Sequence, residues 1–104
     1  MDAEDFLPRL EVEELLRRYA AGERRFINVD LSGADLSGLD FGERRGKGVI
    51  YNKRIVFSES NLCGVNLREA NLFGAMFDCT NLTDAILENA ILENAILELS
   101  LIHI

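Results

Sequence analysis

A chain of 104 residues, 48% of them apolar, is long enough for one domain with a small continuous core. Its net charge of −7 argues against non-specific nucleic-acid binding, and no apolar run approaches the ~18 residues needed to cross a membrane. The opening Met1-Asp2-Ala3-Glu4-Asp5 is acidic where a secretory signal would be basic, so a soluble cytoplasmic protein is expected.

The first predicted element is a helix over residues 10–21. Val12, Leu15, Leu16 and Tyr19 recur at i, i+3, i+4 and i+7, and Gly22 is placed to stop the helix. Its apolar stripe is expected to lie across the first coil of the downstream repeats, with residues 1–25 as the N-terminal cap region.

From residue 26 the period becomes five. Large apolar residues stand at Phe26, Leu31, Leu36 and Phe41, then at Phe57, Leu62, Leu67, Leu72, Phe77, Leu82, Leu87, Leu92 and Leu97. Two residues earlier comes a smaller one in most copies, as at Val29, Ala34, Ser60, Ala70 and Ala90. One residue earlier stand Asp30, Asp35, Asp40, Asn61, Asn66, Asn71 and Asn81, replaced by isoleucine in the last copies. Five helical residues turn through about 500°, which would scatter the leucines around the axis. A large and a small residue spaced by two instead share one side of an extended segment. The period therefore specifies a coil of four five-residue sides with a corner after each, closing in twenty residues. Phe57 should stack on Phe77, Leu62 on Leu82, Leu67 on Leu87 and Leu72 on Leu92, with these columns as the core. With Ile102 one step further on, fourteen repeats make three and a half coils, ~17 Å tall at about 4.8 Å per coil.

Phe41 and Phe57 are sixteen residues apart, five plus an excess of eleven. Treating residues 42–56 as an inserted loop puts Phe26 in the column of Phe57 and Phe77. That loop holds Arg44, Arg45, Lys47, Lys53 and Arg54 against Glu43, a net of +4 on an acidic body. With Tyr51, these basic residues are the candidate partner-binding site, since loops carry function more often than scaffolds do. A phosphate-binding loop is excluded, because only three residues separate Gly42 from Gly46-Lys47 and Gly48 follows.

Near the C-terminus Ile86, Ile91 and Ile96 take the outward position that asparagine fills upstream, and Met76 should be a vertical neighbour of Ile96. Together with Ile102 they form an apolar belt beside an open stack end. Such a surface is a candidate for self-association, as a homodimer through the C-terminal coil.

The motifs Ala34-Asp35-Leu36-Ser37-Gly38 and Ala70-Asn71-Leu72-Phe73-Gly74 resemble the repeats of pentapeptide repeat proteins, over residues 26–41 and 57–102. The resemblance implies an all-β solenoid: a right-handed quadrilateral β-helix with an N-terminal capping α-helix. The segment "VEELLRRYAAGERRF" is similar to the cap of members common in cyanobacteria. The chain departs from the family pattern at the 42–56 insertion and at the ending Leu99-Ser100-Leu101-Ile102-His103-Ile104.

A filled β-helix of this size leaves no interior pocket for convergent catalytic groups. The sole histidine is His103, and Cys63 and Cys79 have neither metal-ligand spacing nor a frame that pairs them. No catalytic residue, cofactor or metal is expected. The expected function is a non-catalytic interaction module displaying the loop to an unidentified protein partner, with no direct nucleic-acid or membrane binding. Two alternatives stand beside it. Some pentapeptide-repeat proteins imitate duplex DNA and modulate DNA gyrase, although a ~17 Å stack spans only about five base pairs. The basic loop could instead hold an anionic ligand.

Overall fold

The computed structural model describes residues 7–42 and 54–101. One helix, α1 (Val12–Ala20), precedes a stack of coils. Acidic Glu13 and Glu14 lie in its first turn and Arg17 and Arg18 in its last, matching the helix dipole. Gly22, at φ 103°, turns the chain out of the helix, with its N–H donating to the Tyr19 carbonyl at 3.0 Å. Leu15 is fully buried against the first coil, and Leu16 and Tyr19 pack beside it. The helix is shorter than the predicted 10–21 because Leu10 belongs to the stack. The Leu10 N–H donates to the Asp30 carbonyl at 2.9 Å and the Asp30 N–H to the Pro8 carbonyl at 2.8 Å.

The coils are held by isolated parallel bridges between residues twenty apart: Val56 with Met76 and Met76 with Ile96, Asn61 with Asn81 and Asn81 with Leu101, Asn66 with Ile86, and Asn71 with Ile91. Across the insertion the step becomes 31, twenty plus eleven, at Arg25–Val56, Asp30–Asn61, Asp35–Asn66 and Asp40–Asn71. Phe26 therefore stacks on Phe57, with ring centroids 6.3 Å apart, and Phe57 on Phe77 at 5.7 Å. The predicted columns form. No continuous strand runs through the described residues, however, because a turn every five residues leaves one bridging residue per side. A side contributes up to three ladder bonds, as at Leu31 N–H to Asn61 O, Asn61 N–H to Val29 O, and Gly33 N–H to Cys63 O, all 2.8–2.9 Å.

Most corners are tight turns in which a residue three after the central apolar one donates back to it, as in Val65 N–H to Leu62 O at 3.0 Å, whereas the Val29 N–H donates to Ser60 Oγ at 3.2 Å. The residue before the donor has positive φ. Glycine fills that place at Gly33, Gly38, Gly64 and Gly74, and other residues fill it at Asn28, Glu59, Glu69, Cys79, Asp84, Asn89, Asn94 and Leu99. The outward Asp and Asn residues also shape the corners. Asp30 accepts from the Ser32 N–H, Asn61 from Cys63, Asn66 from Arg68, Asn71 from Phe73 and Asn81 from Thr83, at 2.9–3.1 Å. They close the corner at their own side, which is why Asp and Asn recur at that place in the period.

The core contains Phe26, Leu31, Leu36, Phe41, Phe57, Leu62, Leu67, Leu72, Phe77 and Leu82, each at most 1% exposed. Leu87, Leu92 and Leu97, predicted in the same columns, are only partly buried, as no coil beneath them is among the described residues. Two hydroxyls share the interior: Ser60 Oγ donates to the Phe26 carbonyl and Thr80 Oγ1 to the Phe57 carbonyl, each at 2.9 Å. A buried hydroxyl is accepted because the coil above supplies a partner.

Candidate interaction surfaces

Two places depart from the regular stack. The first is the corner carrying the insertion. Gly42 and Arg54 flank it, and both are anchored. The Gly42 N–H donates to Asp40 Oδ1 at 3.2 Å, and the same oxygen accepts from Asn71 Nδ2 of the next coil at 2.9 Å. A Cβ at Gly42 would lie 2.4 Å from Asn71 Oδ1 and 2.8 Å from the Phe73 nitrogen, so the chain leaves the stack in close contact with the coil below. On return, Ile55 is fully buried and Val56 ladders between Arg25 and Met76. Ile55 and Val56 thus belong to the stack and not, as the spacing suggested, to the loop. Arg54 is half-buried over Gly74. Arg44, Arg45, Lys47, Tyr51 and Lys53 lie outside the described residues.

The end of α1 meets this same corner. The Tyr19 ring packs edge-on against Phe41 at 5.2 Å, and the Arg24 guanidinium lies over Tyr19 at 3.8 Å. Arg24 Nη1 donates to the carbonyls of Tyr19 and Glu23 at 2.8 and 2.9 Å. Arg24 occupies the inward column that Ile55, Ala75 and Ala95 continue below, a placement the sequence reading missed. The signal was available, since Arg24 stands two residues before Phe26. Burial pushes the Tyr19 hydroxyl's pKa up, Arg24 opposes that rise and Asp40 adds to it.

The second place is the C-terminal end of the stack. Of the predicted belt, Ile86 and Ile91 are exposed, at 46% and 36%, while Met76 and Ile96 are half-buried and Ile102 lies outside the described residues. Leu99 and Leu101, at 84% and 56%, extend the apolar surface. Leu101 is the fourth outward residue of the last coil. It stands five after Ile96, so the period could have found it. Glu88, Glu93 and Glu98 ring this end at the corners, and Arg68 Nη2 approaches Glu88 at 3.6 Å. Among the described residues no group of three or more His, Cys, Asp or Glu is placed to share a metal ion. No helix there is long and apolar enough to span a membrane. Cys63 and Cys79 are free thiols.

A stack of five-residue sides with this ladder is the architecture of one protein class. Residues 53–89 match the family described as pentapeptide repeats, in eight copies, so the chain carries pentapeptide repeats. Among solved structures it resembles HetL, a pentapeptide repeat protein involved in heterocyst differentiation regulation from the cyanobacterium Nostoc. The two are 33% identical with a TM-score of 0.63, over 73% of this chain and 31% of HetL. It also resembles Rfr23, from the cyanobacterium Cyanothece, at 24% identity and a TM-score of 0.43, over 76% of this chain and 56% of the other. The chain thus spans about a third of HetL's length. Comparison with curated protein sequences finds no significant match.

Proposed function

We propose that the protein is a non-catalytic pentapeptide-repeat scaffold, a right-handed four-sided β-helix that presents residues 43–53 to a protein partner. The observation that supports this is the register across the insertion. Eleven extra residues enter at one corner, yet Arg25–Val56 and the three other bridges across it keep the same stacking as the uninterrupted coils. The stack keeps its register across the segment, which supports a role for it in recognition, as loops carry function more often than scaffolds do. Residues 43–53 carry four basic groups against Glu43, on a chain of net −7. Such a contrast suits an acidic partner surface and makes association salt-dependent.

The test compares the intact protein, in a pull-down from its host's extract, with a version whose residues 43–53 are replaced by a short glycine-containing turn. A partner lost with the segment identifies an adaptor and its site. A partner retained by both proteins sinks the loop reading and moves attention to the acidic faces, with DNA gyrase the first candidate.

A further inference from the structure

We propose that Tyr19 and Arg24 are positioning residues for the insertion: together they fix both stems from which residues 43–53 leave the stack, and so couple that segment to the docking of α1. The proposal rests on the reading of residues 43–53 as a recognition segment.

The exit stem is held from above by Tyr19. The chain leaves the stack at Phe41 and Gly42, and the Tyr19 ring stands edge-on to Phe41 with centroids 5.2 Å apart. Phe41 meets Phe57 below it at 6.3 Å, with the two rings at 90°. Its neighbours in the chain are tied to each other and to the next coil. The Gly42 N–H donates to Asp40 Oδ1 at 3.2 Å, and the same oxygen accepts from Asn71 Nδ2 at 2.9 Å. There is no slack at this corner, because a Cβ on Gly42 would strike Asn71 and the Phe73 nitrogen. A displacement of Phe41 therefore passes to the Gly42 N–H instead of being absorbed locally.

The return stem is held by Arg24. Ile55 is fully buried, the Val56 N–H donates to the Arg24 carbonyl, and the Phe26 N–H donates to the Val56 carbonyl, both at 2.8 Å. Arg24 thus stands above Ile55 in one inward column. Its guanidinium carbon lies 3.8 Å from the centre of the Tyr19 ring, and Nη1 donates to the carbonyls of Tyr19 and Glu23. One stacked pair at the end of α1 therefore meets the exit stem through Tyr19 and the return stem through Arg24.

The two residues also depend on each other. Arg24 Nε is buried with no hydrogen-bond partner among the described residues, a cost that stacking on Tyr19 helps to offset. Without the ring, the guanidinium has to move, and the backbone that carries it holds the Val56 hydrogen bond. A nine-residue helix is marginal alone, so α1 persists through its contacts with the stack. When α1 undocks it takes Tyr19 with it, and both stems lose a neighbour at once.

The test is amide hydrogen exchange on the full chain without any partner, so a missing coupling is told apart from a missing partner. Tyr19→Ala should speed exchange of the Gly42 and Val56 N–H groups at least tenfold, while Leu67 and Leu72, in the ladder below, change less than threefold. Tyr19→Phe keeps the ring and should stay within twofold of the parent at every one of these amides. Unchanged exchange at Gly42 and Val56 in Tyr19→Ala would overturn the proposal. So would an equal rise at all four amides, since Tyr19 would then serve general stability alone. The reverse direction decides the matter if Tyr19→Ala does not fold, because coupling is reciprocal. Gly42→Ala should speed exchange of the Gly22 and Glu23 N–H groups, which bond to the Tyr19 and Arg18 carbonyls, at least threefold. No change there would sink the coupling.

Discussion

At the scale of single residues, the corner turns separate conformational cost from packing. Glu59 sits at φ 60° and is exposed, a backbone conformation that costs a non-glycine residue about 1 kcal/mol. Glu59→Gly should raise stability by a few tenths to about 1 kcal/mol in chemical denaturation, net of glycine's greater freedom when unfolded. Gly64, at φ 68°, is the converse. The nearest atom to an added Cβ there is the Gly33 nitrogen at 4.0 Å, so Gly64→Ala meets no clash and should cost about 1 kcal/mol from conformation alone. Gly42 differs from both, because its Cβ would strike Asn71 and the Phe73 backbone. Gly42→Ala should cost about 2 kcal/mol and disturb the Asn71–Asp40 hydrogen bond, which amide chemical shifts of Phe73 would report. Asp35 extends the same reasoning to acid. The Ser37 hydroxyl, at 2.7 Å, and then the Ser37 N–H hold its pKa below the ordinary carboxylate value. That stabilisation is complete above the unfolded carboxylate pKa, about 4, and is lost as pH falls through the lower folded one. Asp35→Asn keeps the accepting oxygen, so it should flatten the acid limb of a stability–pH curve while changing little at pH 7.

At the scale of elements, α1 is held by one buried residue and several surface pairs. Leu15 is fully buried, and Leu15→Ala should cost about 2–5 kcal/mol, lowering the melting temperature and exposing the amides of the first coil to hydrogen exchange. The pairs Arg17–Glu14 and Arg18–Glu23 lower both glutamate pKa values through their hydrogen bonds, so the helix loses these contributions in acid together with Asp35. Exposed pairs of this kind contribute little individually. The helix therefore depends on its apolar face, and this explains why the i, i+3, i+4, i+7 spacing located it while its start was misplaced. Leu10 looks like part of the stripe in sequence. It is instead drawn into the ladder, where its own N–H and the Pro8 carbonyl both bond to the Asp30 backbone.

At the scale of the whole molecule, the stack keeps one register on both sides of the insertion. Replacing residues 43–53 by a short turn should leave a cooperative thermal transition, because the Phe26, Phe57 and Phe77 column and the bridges above and below the insertion do not pass through it. A shorter loop also costs slightly less to close. A non-cooperative or strongly lowered transition would show that the segment is part of the core.

The five-residue period by itself determined the four-sided coil, the columns, the inward pair and the size of the interruption. It could do so because a large and a small residue must return to the same interior every five positions, and any other frame exposes the leucines. Local chemistry was legible in part. Recurrent Asp and Asn stand at the corners, but the positive φ of Glu59, Glu69, Cys79 and Leu99 has no side-chain signal and was not foreseen. Only the tertiary structure decided the rest. It placed Ile55 and Val56 in the stack and packed Tyr19 against both Arg24 and Phe41. Those outcomes depend on how the coils and the cap meet, up to thirty-one residues apart, and a short sequence window does not contain that contact.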